Sequence, residues 1–473
     1  MRSIQRSSVC NLRQAVVLMF VTAAACNYGV ALWAQVANQA QGVQQIAGTA
    51  PRNTSVNFVG GISINADGML DNVEVDALNK LSRAWAQGMQ KIPADLAKAA
   101  GMRKVSLRQL EAAIEECRKA HKALPDDICF LGGLQQIRYV LVYPEQKDIV
   151  LVGRGDGWKV DDRGNVVGVT NGRPVMLLDD LAVALRSAQQ AAQGGITCSI
   201  DPSSDGLKRL RSYASTLHTI GDPIATSSNV EQTLGQQQIT FSGVPTTSHF
   251  ARVLLAADYR MKRLAMNFEP APIRGLPSFL QMMSAGPKGM SALLPRWWLE
   301  PKYDSLLRDA AGLSWELDGG TVKALTEEDF LTASGGKEHT GRANPVAQKW
   351  ADNMTAKYDE LSLAMPIFGE LRNCMELAIV GTLIVKENLP AKAGYSLTSL
   401  TDPSLLKVAE YTIPKQVDSK ASLLRKGHNW MISASGGVAI YPWMMVDKAQ
   451  QSDAAAAVRA KATPASAAKW CWN

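Results

Sequence analysis

The sequence predicts an α+β protein, with an antiparallel, hairpin-rich N-terminal domain and a second domain that holds a mixed, partly parallel sheet with covering helices. Two observations carry this prediction. Between residues 130 and 181, short strand-like segments are separated by turn residues, which is typical of antiparallel hairpins. Between residues 196 and 325, strand-like and helix-like segments alternate, which favours a partly parallel sheet covered by helices.

Residues 1–34 have the pattern of a secretory signal peptide. They hold three arginines and no acidic residue. The apolar run Ala15–Ala25 is shorter than the roughly 20 residues that a helix needs to cross a bilayer, and the small residues up to Ala34 allow cleavage. Lipid attachment at Cys26 is an alternative use of the same segment. The mature chain is therefore predicted to be exported, either to the periplasm or to the extracellular space.

Composition excludes several classes of partner. Without residues 1–34 the chain has 47 lysines and arginines against 43 acidic residues, a net charge of +4, and no block of like charges. Neither nucleic acid nor an anionic membrane is therefore predicted as a partner, which leaves an unknown envelope or extracellular component. No later run reaches roughly 18 unbroken apolar residues, so no transmembrane segment is predicted in the mature chain. Common hydrolase, phosphate-loop and zinc-protease motifs are missing from the sequence, and no cofactor is predicted.

The mature chain exceeds what one hydrophobic core usually supports, so two or three domains are expected. Composition shifts suggest the boundaries. They are a flexible lead-in at 35–55, an α+β domain at 56–195, a mixed α/β domain at 196–340, a helical segment packing between domains at 341–395, a strand-rich segment at 396–447 and a disordered Ala-rich tail at 448–473.

The N-terminal domain is predicted to begin with a hairpin that turns at Asp67-Gly68. A helix over 106–123 is capped by Ser106 and buries one stripe. That stripe consists of Leu107, Leu110, Ile114 and Cys117. The predicted strands are Ile137–Tyr143, Asp148–Gly153, Trp158–Val160 and Val166–Val169.

The second domain alternates strands with helices. The predicted strands are Ile196–Asp201, Ile239–Val244, Leu264–Glu269, Arg296–Glu300 and Leu313–Leu317. Helices are predicted to begin at Ser203 or Ser204 and at Ser248, because serine is a preferred N-cap residue.

The rest of the chain is predicted to be helical and then extended. Residues 345–388 have helical spacing with a break at Pro366, and Cys374–Val385 is apolar nearly all round, so it is expected to be buried. Residues 397–446 return to strand, with a predicted hairpin through Ser435-Gly436-Gly437.

One candidate metal site has the spacing of a calcium loop. In residues 63–74, Asn65, Asp67, Asp71 and Glu74 would be the ligands. Against this, Ser63 stands at the first ligand position, and a strand precedes it where a helix should enter. A hairpin turn is the competing interpretation, and the one that we prefer.

A second candidate site is a repeated acid–proline pattern. Asp201, Glu269 and Glu300 each follow a strand-like run and precede a proline, which ends a strand. If the strands are parallel, the three carboxylates emerge at one edge of the sheet, where open α/β sheets bind ligands. Two carboxylates there would serve as acid and base on a glycosidic bond, and three would hold a divalent metal. Trp297 and Trp298 would supply an aromatic face for a sugar ring. The alternative is that the pattern only terminates strands and that a tryptophan is core.

Cysteine and histidine add no clear site. Five cysteines follow the signal peptide, and none forms a CxxC pair. Cys117 and Cys129 lie closest in sequence, so they either pair or remain buried thiols. The five histidines are scattered singly, which is typical of structural residues.

Five segments are distinctive across most of the mature chain. They are FVGGISINADGML (58–70), FLGGLQQIRYVLVYPEQKDIVLVGRGDGWKVDDRGNVVG (130–168), AADYRMKRLAMNFEP (256–270), RWWLEPKYDS (296–305) and KWADNMTAKYDEL (349–361). Together they resemble a family of exported planctomycete proteins that is catalogued only as a domain of unknown function. The resemblance implies export and no activity.

The function predicted from sequence is an exported, non-catalytic binding or structural protein of the cell envelope. The alternative is a secreted hydrolase, acting on polysaccharide through the acid–proline residues.

Export predicts where the native protein begins. Because the basic start and the short apolar run should be removed, N-terminal sequencing of the native protein should find a first residue between Cys26 and Ala37. An intact Met1 on protein recovered from the cytosol would contradict export.

Overall fold

The computed structural model describes most of the chain after residue 58. The described residues are 59–65, 67–72, 83, 85–217, 222–283, 290–293, 295–331, 337–339, 343–426, 428–462 and 469–473. They belong to one compact unit, Ser55–Asn473. The predicted signal peptide and most of the predicted lead-in fall in the other unit, Met1–Thr54, and lie outside the described residues.

The strands, in chain order, are β1 (Ile62–Ile64), β2 (Leu70–Asn72), β3 (Ala100–Ser106), β4 (Tyr139–Tyr143), β5 (Asp148–Gly155), β6 (Trp158–Val160), β7 (Val166–Gly168), β8 (Ile196–Pro202), β9 (Gln236–Ser242), β10 (Met290–Leu293), β11 (Pro295–Lys302), β12 (Ser305–Arg308), β13 (Ser314–Asp318), β14 (Thr321–Leu331), β15 (Lys337–His339), β16 (Gln416–Asp418), β17 (Ser422–Lys426), β18 (His428–Ile432), β19 (Ser435–Ile440), β20 (Gln450–Gln451) and β21 (Cys471–Trp472).

The helices are α1 (Leu107–Lys119), α2 (Asp126–Cys129), α3 (Leu178–Ser187), α4 (Ser204–Thr216), α5 (Pro223–Leu234), α6 (His249–Ala265), α7 (Phe279–Met282), α8 (Pro345–Ala356), α9 (Tyr358–Ala364), α10 (Pro366–Lys386), α11 (Leu389–Ala393), α12 (Thr398–Thr401), α13 (Pro442–Asp447) and α14 (Ala454–Lys461). Residue 83 and residues 85–88 are also helical, and short 3-10 turns lie at Leu131–Gly133 and Gln190–Gln193.

Two seven-stranded sheets organise the molecule. Sheet I has the order β15-β14-β11-β19-β8-β9-β16, and sheet II has the order β20-β12-β13-β4-β5-β3-β21. Both are mixed: β11 and β19 run parallel in sheet I, as do β12 and β20 in sheet II, beside antiparallel neighbours. Hairpins β1–β2 and β6–β7 and a three-stranded sheet β10-β18-β17 lie apart from them. The α+β class, with antiparallel hairpins and a mixed sheet, is confirmed.

Local sequence rules predicted the start of α1 well. The Ser106 hydroxyl accepts a hydrogen bond from the backbone N–H of Gln109 at 3.0 Å, as an N-cap should. Leu110 and Ile114 on the predicted stripe are buried, whereas Cys117 is only half-buried at its end. The helix therefore forms where its apolar spacing and its cap agree.

Sheet I buries one face, and β11 shows why its sequence alternates. Trp297 and Leu299 point into the core and are fully buried. The Trp297 ring packs edge-on against Phe279 and Trp350, with ring centroids 5.2 and 5.1 Å away. Trp297 is therefore a core residue and does not offer a face to a sugar.

The predicted hairpin at Ser435-Gly436-Gly437 is wrong, because these residues form the start of the central strand β19. A Cβ atom on Gly436 would lie 1.8 Å from the carbonyl oxygen of Trp297, and one on Gly437 would lie 1.8 Å from that of Cys198. The two glycines therefore let β19 lie between β11 and β8. A glycine pair is a turn signal in sequence, but here it permits a close backbone approach.

The predicted strand Leu264–Glu269 is also wrong. Helix α6 continues to Ala265, and its apolar stripe includes Met261 and Leu264, both buried. Asn267 has a φ of 58°, and Phe268 donates its backbone N–H to the carbonyl of Arg263. The helix thus ends in a tight turn, so Glu269 follows a helix and not a strand.

The Ala-rich end of the chain is not the disordered tail that we predicted, as far as it is described. Ala455, Val458 and Ala462 of the α14 region pack on the outer face of sheet II. Arg459 Nε donates to the carbonyl of Val142 at 2.6 Å. Strand β21 then pairs with β3 at the edge of the same sheet. Small alanine side chains let a helix lie close to a sheet, a property that composition alone does not reveal.

The strand pairing crosses the predicted boundary at residues 195 and 196. Strand β13 comes from the predicted second domain, yet it pairs with β4 of the first, with Trp315 opposite Val140. The described residues of both predicted domains thus share sheet II.

Two fully buried arginines differ in how well they are bonded. Arg103 donates to the carbonyls of Gly132 at 2.6 Å and Asp156 at 2.8 Å, and to the Asn473 side chain at 2.9 Å. Arg252 donates to one carbonyl, that of Thr412, at 2.6 Å. Its Nε and Nη1 atoms have no protein hydrogen-bond partner in the described part of the chain.

This contrast predicts that replacement by methionine lowers the stability of the protein much more at Arg103 than at Arg252. Arg103→Met should lower the free energy of unfolding by about 3 kcal/mol or more, because it leaves buried carbonyls without donors. Arg252→Met should stay within about 1 kcal/mol of wild type or stabilise it, because it removes a buried charge with few partners. Urea unfolding of both variants measures the difference, and equal losses would contradict it.

Candidate functional site

The acid–proline residues Asp201 and Glu300 do not share a sheet edge. Strand β11 is parallel to β19, whereas β8 is antiparallel to it, so β8 and β11 point in opposite directions. Ser199 of β8 and Trp298 of β11 both pair with Gly437 of β19, so these two residues lie at the same height in the sheet. Asp201 lies two residues to one side of that level and Glu300 two residues to the other. The two residues are thus roughly 13 Å apart along the strands and two strands apart, about 9.5 Å, across them.

Glu269 and Glu300 serve as local counter-ions. Glu269 accepts from Arg260 Nη1 at 2.8 Å and from Arg263 Nε at 3.0 Å. Glu300 accepts from the indole N–H of the half-buried Trp298 at 2.7 Å and pairs with Lys323 at 3.2 Å. The premise of parallel strands with gathered carboxylates was wrong, because β19 reverses the direction between the two acids.

The calcium-loop spacing forms a hairpin. Strands β1 and β2 are antiparallel, with Ser63 opposite Asp71. Asn65 Oδ1 accepts the backbone N–H groups of Asp67 at 3.0 Å and Met69 at 2.9 Å, so it orders the turn. The fourth predicted ligand, Glu74, lies outside the described residues. Within the described ranges, no group of three or more His, Cys, Asp or Glu residues is arranged to hold a metal ion.

The structure does bring together a pocket that sequence reasoning missed. It opens between helix α6, strands β8 and β9, residues 417–420 and Ala434, and the empty space in it and in its solvent-open mouth is about 430 Å³. We call it the α6 pocket. Its apolar lining consists of Ile200, Tyr259, Met266, Phe268, Val417 and Ala434. Its polar lining consists of Gln237, Lys262, Arg263, Asp418 and Lys420.

Lys262 connects helix α6 to two strands of sheet I at the α6 pocket. Its ammonium donates to the Asp258 carboxylate, one helical turn earlier, at 2.9 Å. It also donates to the carbonyls of Ile200 in β8 at 2.9 Å and Gly436 in β19 at 3.1 Å. An ammonium has three donors, so these three bonds use them all. The side chain thereby ties α6 to two strands of sheet I.

Asp258 is the partner that makes a buried lysine possible. It is fully buried, and burial raises the pKa of its carboxyl to about 7, against the opposing effect of the charge and hydrogen bond of Lys262. The nearby charge of Asp201 adds to the rise in this pKa. The sequence did carry a signal, an acid and a base four residues apart within an apolar helical stripe, because a buried charge requires a partner.

Arg263 forms one wall of the α6 pocket. Its guanidinium stacks over the Tyr259 ring, 5.6 Å from the centroid. The guanidinium forms an ion pair with Glu269, and Glu269 also pairs with Arg260. The counter-ion Glu269 is not part of the lining, so the pocket wall presents the cation and not its acid.

A second cluster joins the N-terminus of α6 to α3 and α10. His249 Nδ1 lies 3.0 and 3.1 Å from the two carboxylate oxygens of Asp180. The thiol of Cys374 donates to the same carboxylate at 3.8 Å. Burial raises the pKa of Cys374 well above its ordinary value, so this thiol is not an activated nucleophile. The Ser248 hydroxyl caps α6 by accepting the backbone N–H of Ala251 at 3.1 Å, and it donates to the carbonyl of Pro245 at 2.6 Å instead of to His249.

Cys117 and Cys129 are not joined by a disulfide, so the predicted pairing is not formed. None of the described helices is both long and apolar enough to span a bilayer.

The comparisons with known proteins identify one segment of the chain. Residues 198–279 match the family model described as a protein of unknown function, DUF1598. This domain of unknown function runs from β8 to the start of α7, and so it contributes Ile200, Gln237 and the α6 wall to the α6 pocket. Neither a curated protein nor a solved structure matches the chain.

The His249–Asp180 pair predicts a pH dependence. Burial lowers the pKa of His249, but the charge and hydrogen bond of Asp180, with the charges of Glu370 and Asp179, raise it to about 9. A raised pKa in the folded state stabilises the fold fully below the unfolded value of about 6.5 and loses that effect as the pH rises through about 9. The free energy of unfolding should therefore fall by on the order of 3 kcal/mol over this window.

His249→Gln should flatten this fall, because glutamine does not titrate. Urea unfolding at pH 6, 7.5 and 9 compares the slopes of the two proteins, whatever their absolute stabilities. Parallel slopes would show that His249 is not the titrating group.

Proposed function

We propose that the chain is an exported, non-catalytic binding protein of the cell envelope or extracellular space, and that it binds a small ligand in the α6 pocket. The observation that carries the proposal is the pocket itself. Its mostly apolar lining with a few polar groups is typical of ligand sites. Export rests on residues 1–34 and on the family resemblance.

A binding role fits the bonding of the charged groups around the pocket better than a catalytic role does. Lys262 already donates all three of its protons, so it is not free to act on a ligand. Asp258 has a pKa near neutrality, which is often seen in catalytic acids. It is fully buried behind Lys262, however, and does not line the pocket. A buried ion pair that joins a helix to two strands explains both residues structurally.

The positions of the acid–proline residues do not support the hydrolase alternative. Acid–base pairs on glycosides stand roughly 5–9.5 Å apart. Asp201 and Glu300 are separated by four residues along the strands and by two strands across them. Glu269 is engaged by two arginines.

Blocking the pocket tests the proposal. Ala434 lines the pocket and is buried, so Ala434→Phe should fill it. Ligand-observed NMR with a library of small aromatic and aliphatic fragments should find hits on the wild type that Ala434→Phe loses. Mass spectrometry should recover each hit chemically unchanged, because the role is binding.

Ala192→Phe is the matched control, since Ala192 is exposed and is not part of the pocket lining. It should retain every hit. Circular dichroism and the melting temperature establish that Ala434→Phe is folded. Hits that survive in a folded Ala434→Phe protein would contradict binding in this pocket, and converted fragments would contradict a non-catalytic role.

A further inference from the structure

We infer that the α6 pocket takes a small organic anion, with an apolar ring or chain and a single carboxylate group. This inference rests on the proposed binding function and adds the class of ligand. It follows from the presence of both apolar and cationic side chains in the pocket lining.

The apolar part of the pocket suits a ring. Phe268 and Tyr259 provide aromatic surface, and Met266 provides an adaptable thioether side chain beside them. Ile200 and Val417 are buried and complete the apolar surface. A flat or branched apolar group would release water from these side chains on binding.

The charged part of the pocket favours an anion. The lining holds three cations, Lys262, Arg263 and Lys420, against a single acid, the exposed Asp418. The acids that pair with the first two cations, Asp258 and Glu269, do not line the pocket. An apolar wall reduces solvent screening, so the facing cations attract a negative group more strongly than they would in open water.

Two of these cations are suited to contact the ligand directly. Hydrogen bonds to Glu269 and to the carbonyl of Phe268 use two of the five N–H donors of Arg263, and a hydrogen bond with the Tyr259 side chain also engages this guanidinium. A planar guanidinium matches a carboxylate well. Lys420 has a side chain that is 56% exposed, and a long 3.5 Å ion pair with Glu231 holds it weakly, so it can turn towards a ligand at the mouth.

Three probes of nearly the same shape separate charge from apolar contact. Benzoate, benzamide and benzamidinium carry charges of −1, 0 and +1 on the same ring. Titration by NMR against the wild type should rank benzoate first, with a dissociation constant on the order of a millimolar, as expected for so small a ligand. Benzamide should bind at least about threefold more weakly, and benzamidinium more weakly still. Added salt should weaken benzoate and leave benzamide unchanged.

A pair of matched lysine variants tests the site. Lys420→Gln should weaken benzoate about threefold without affecting benzamide, because it removes only a charge at the mouth. Lys208→Gln is the control: its side chain is 55% exposed and holds a similar surface ion pair, with Asp205 at 3.3 Å, but it does not line the pocket. It should leave all three probes unchanged.

The outcomes show whether it is the inference of an anionic ligand or the proposal of a binding pocket that fails. Equal binding of benzoate and benzamide, or an effect of Lys208→Gln equal to that of Lys420→Gln, would overturn the anion inference and leave the pocket standing. Failure of all three probes would overturn it as well, and the fragment experiment with Ala434→Phe would then decide independently whether the pocket binds anything.

Discussion

The close approach of strand β19 to its two neighbours is the constraint on which the rest of sheet I depends. Only glycine fits at positions 436 and 437, because a Cβ atom there would meet the carbonyl oxygens of Trp297 and Cys198. With β19 in this position, β8 and β11 run in opposite directions. The Gly436 carbonyl also accepts a hydrogen bond from the Lys262 ammonium, so the glycine pair helps to fix the position of Lys262 in the α6 pocket. One local requirement thus determines both where the acids go and where the pocket forms.

Charged side chains at both ends of helix α6 bond to groups outside the helix. At its start, His249 meets Asp180 of α3, and near its end, Lys262 meets two strands of sheet I. Past its end, Glu269 folds back onto Arg260 and Arg263. Burying a charged side chain costs free energy unless a partner is buried with it. A helix that is buried on most sides can therefore hold these charges only where such partners lie beside them. The helix is therefore fixed at both ends by ion pairs, and the α6 pocket lies along its second half.

The matched segment 198–279 is not a self-contained structural unit. It supplies β8, β9 and α6, but β9 pairs with β16, and β8 pairs with β19, from much later in the chain. The pocket likewise takes one wall from the segment and the other from residues 417–420 and Ala434. Any ligand that binds there would contact residues from both regions. The segment in isolation therefore carries few recognisable site residues.

The sequence by itself determined the elements whose signals are local. The hairpin at Asp67-Gly68, the Ser106 and Ser248 caps and the helices around Pro366 form as predicted, because turn chemistry, capping and apolar spacing act within a few residues. Three other features required the tertiary structure. Gly436-Gly437 became a strand, Ala454–Lys461 became a covering helix, and Glu269 became the counter-ion of two arginines. Each depends on a neighbour more than a hundred residues away or on the true end of a helix, as does the pocket. Local composition encodes what a segment can form, whereas burial against a distant partner decides which form it takes and which side chains meet.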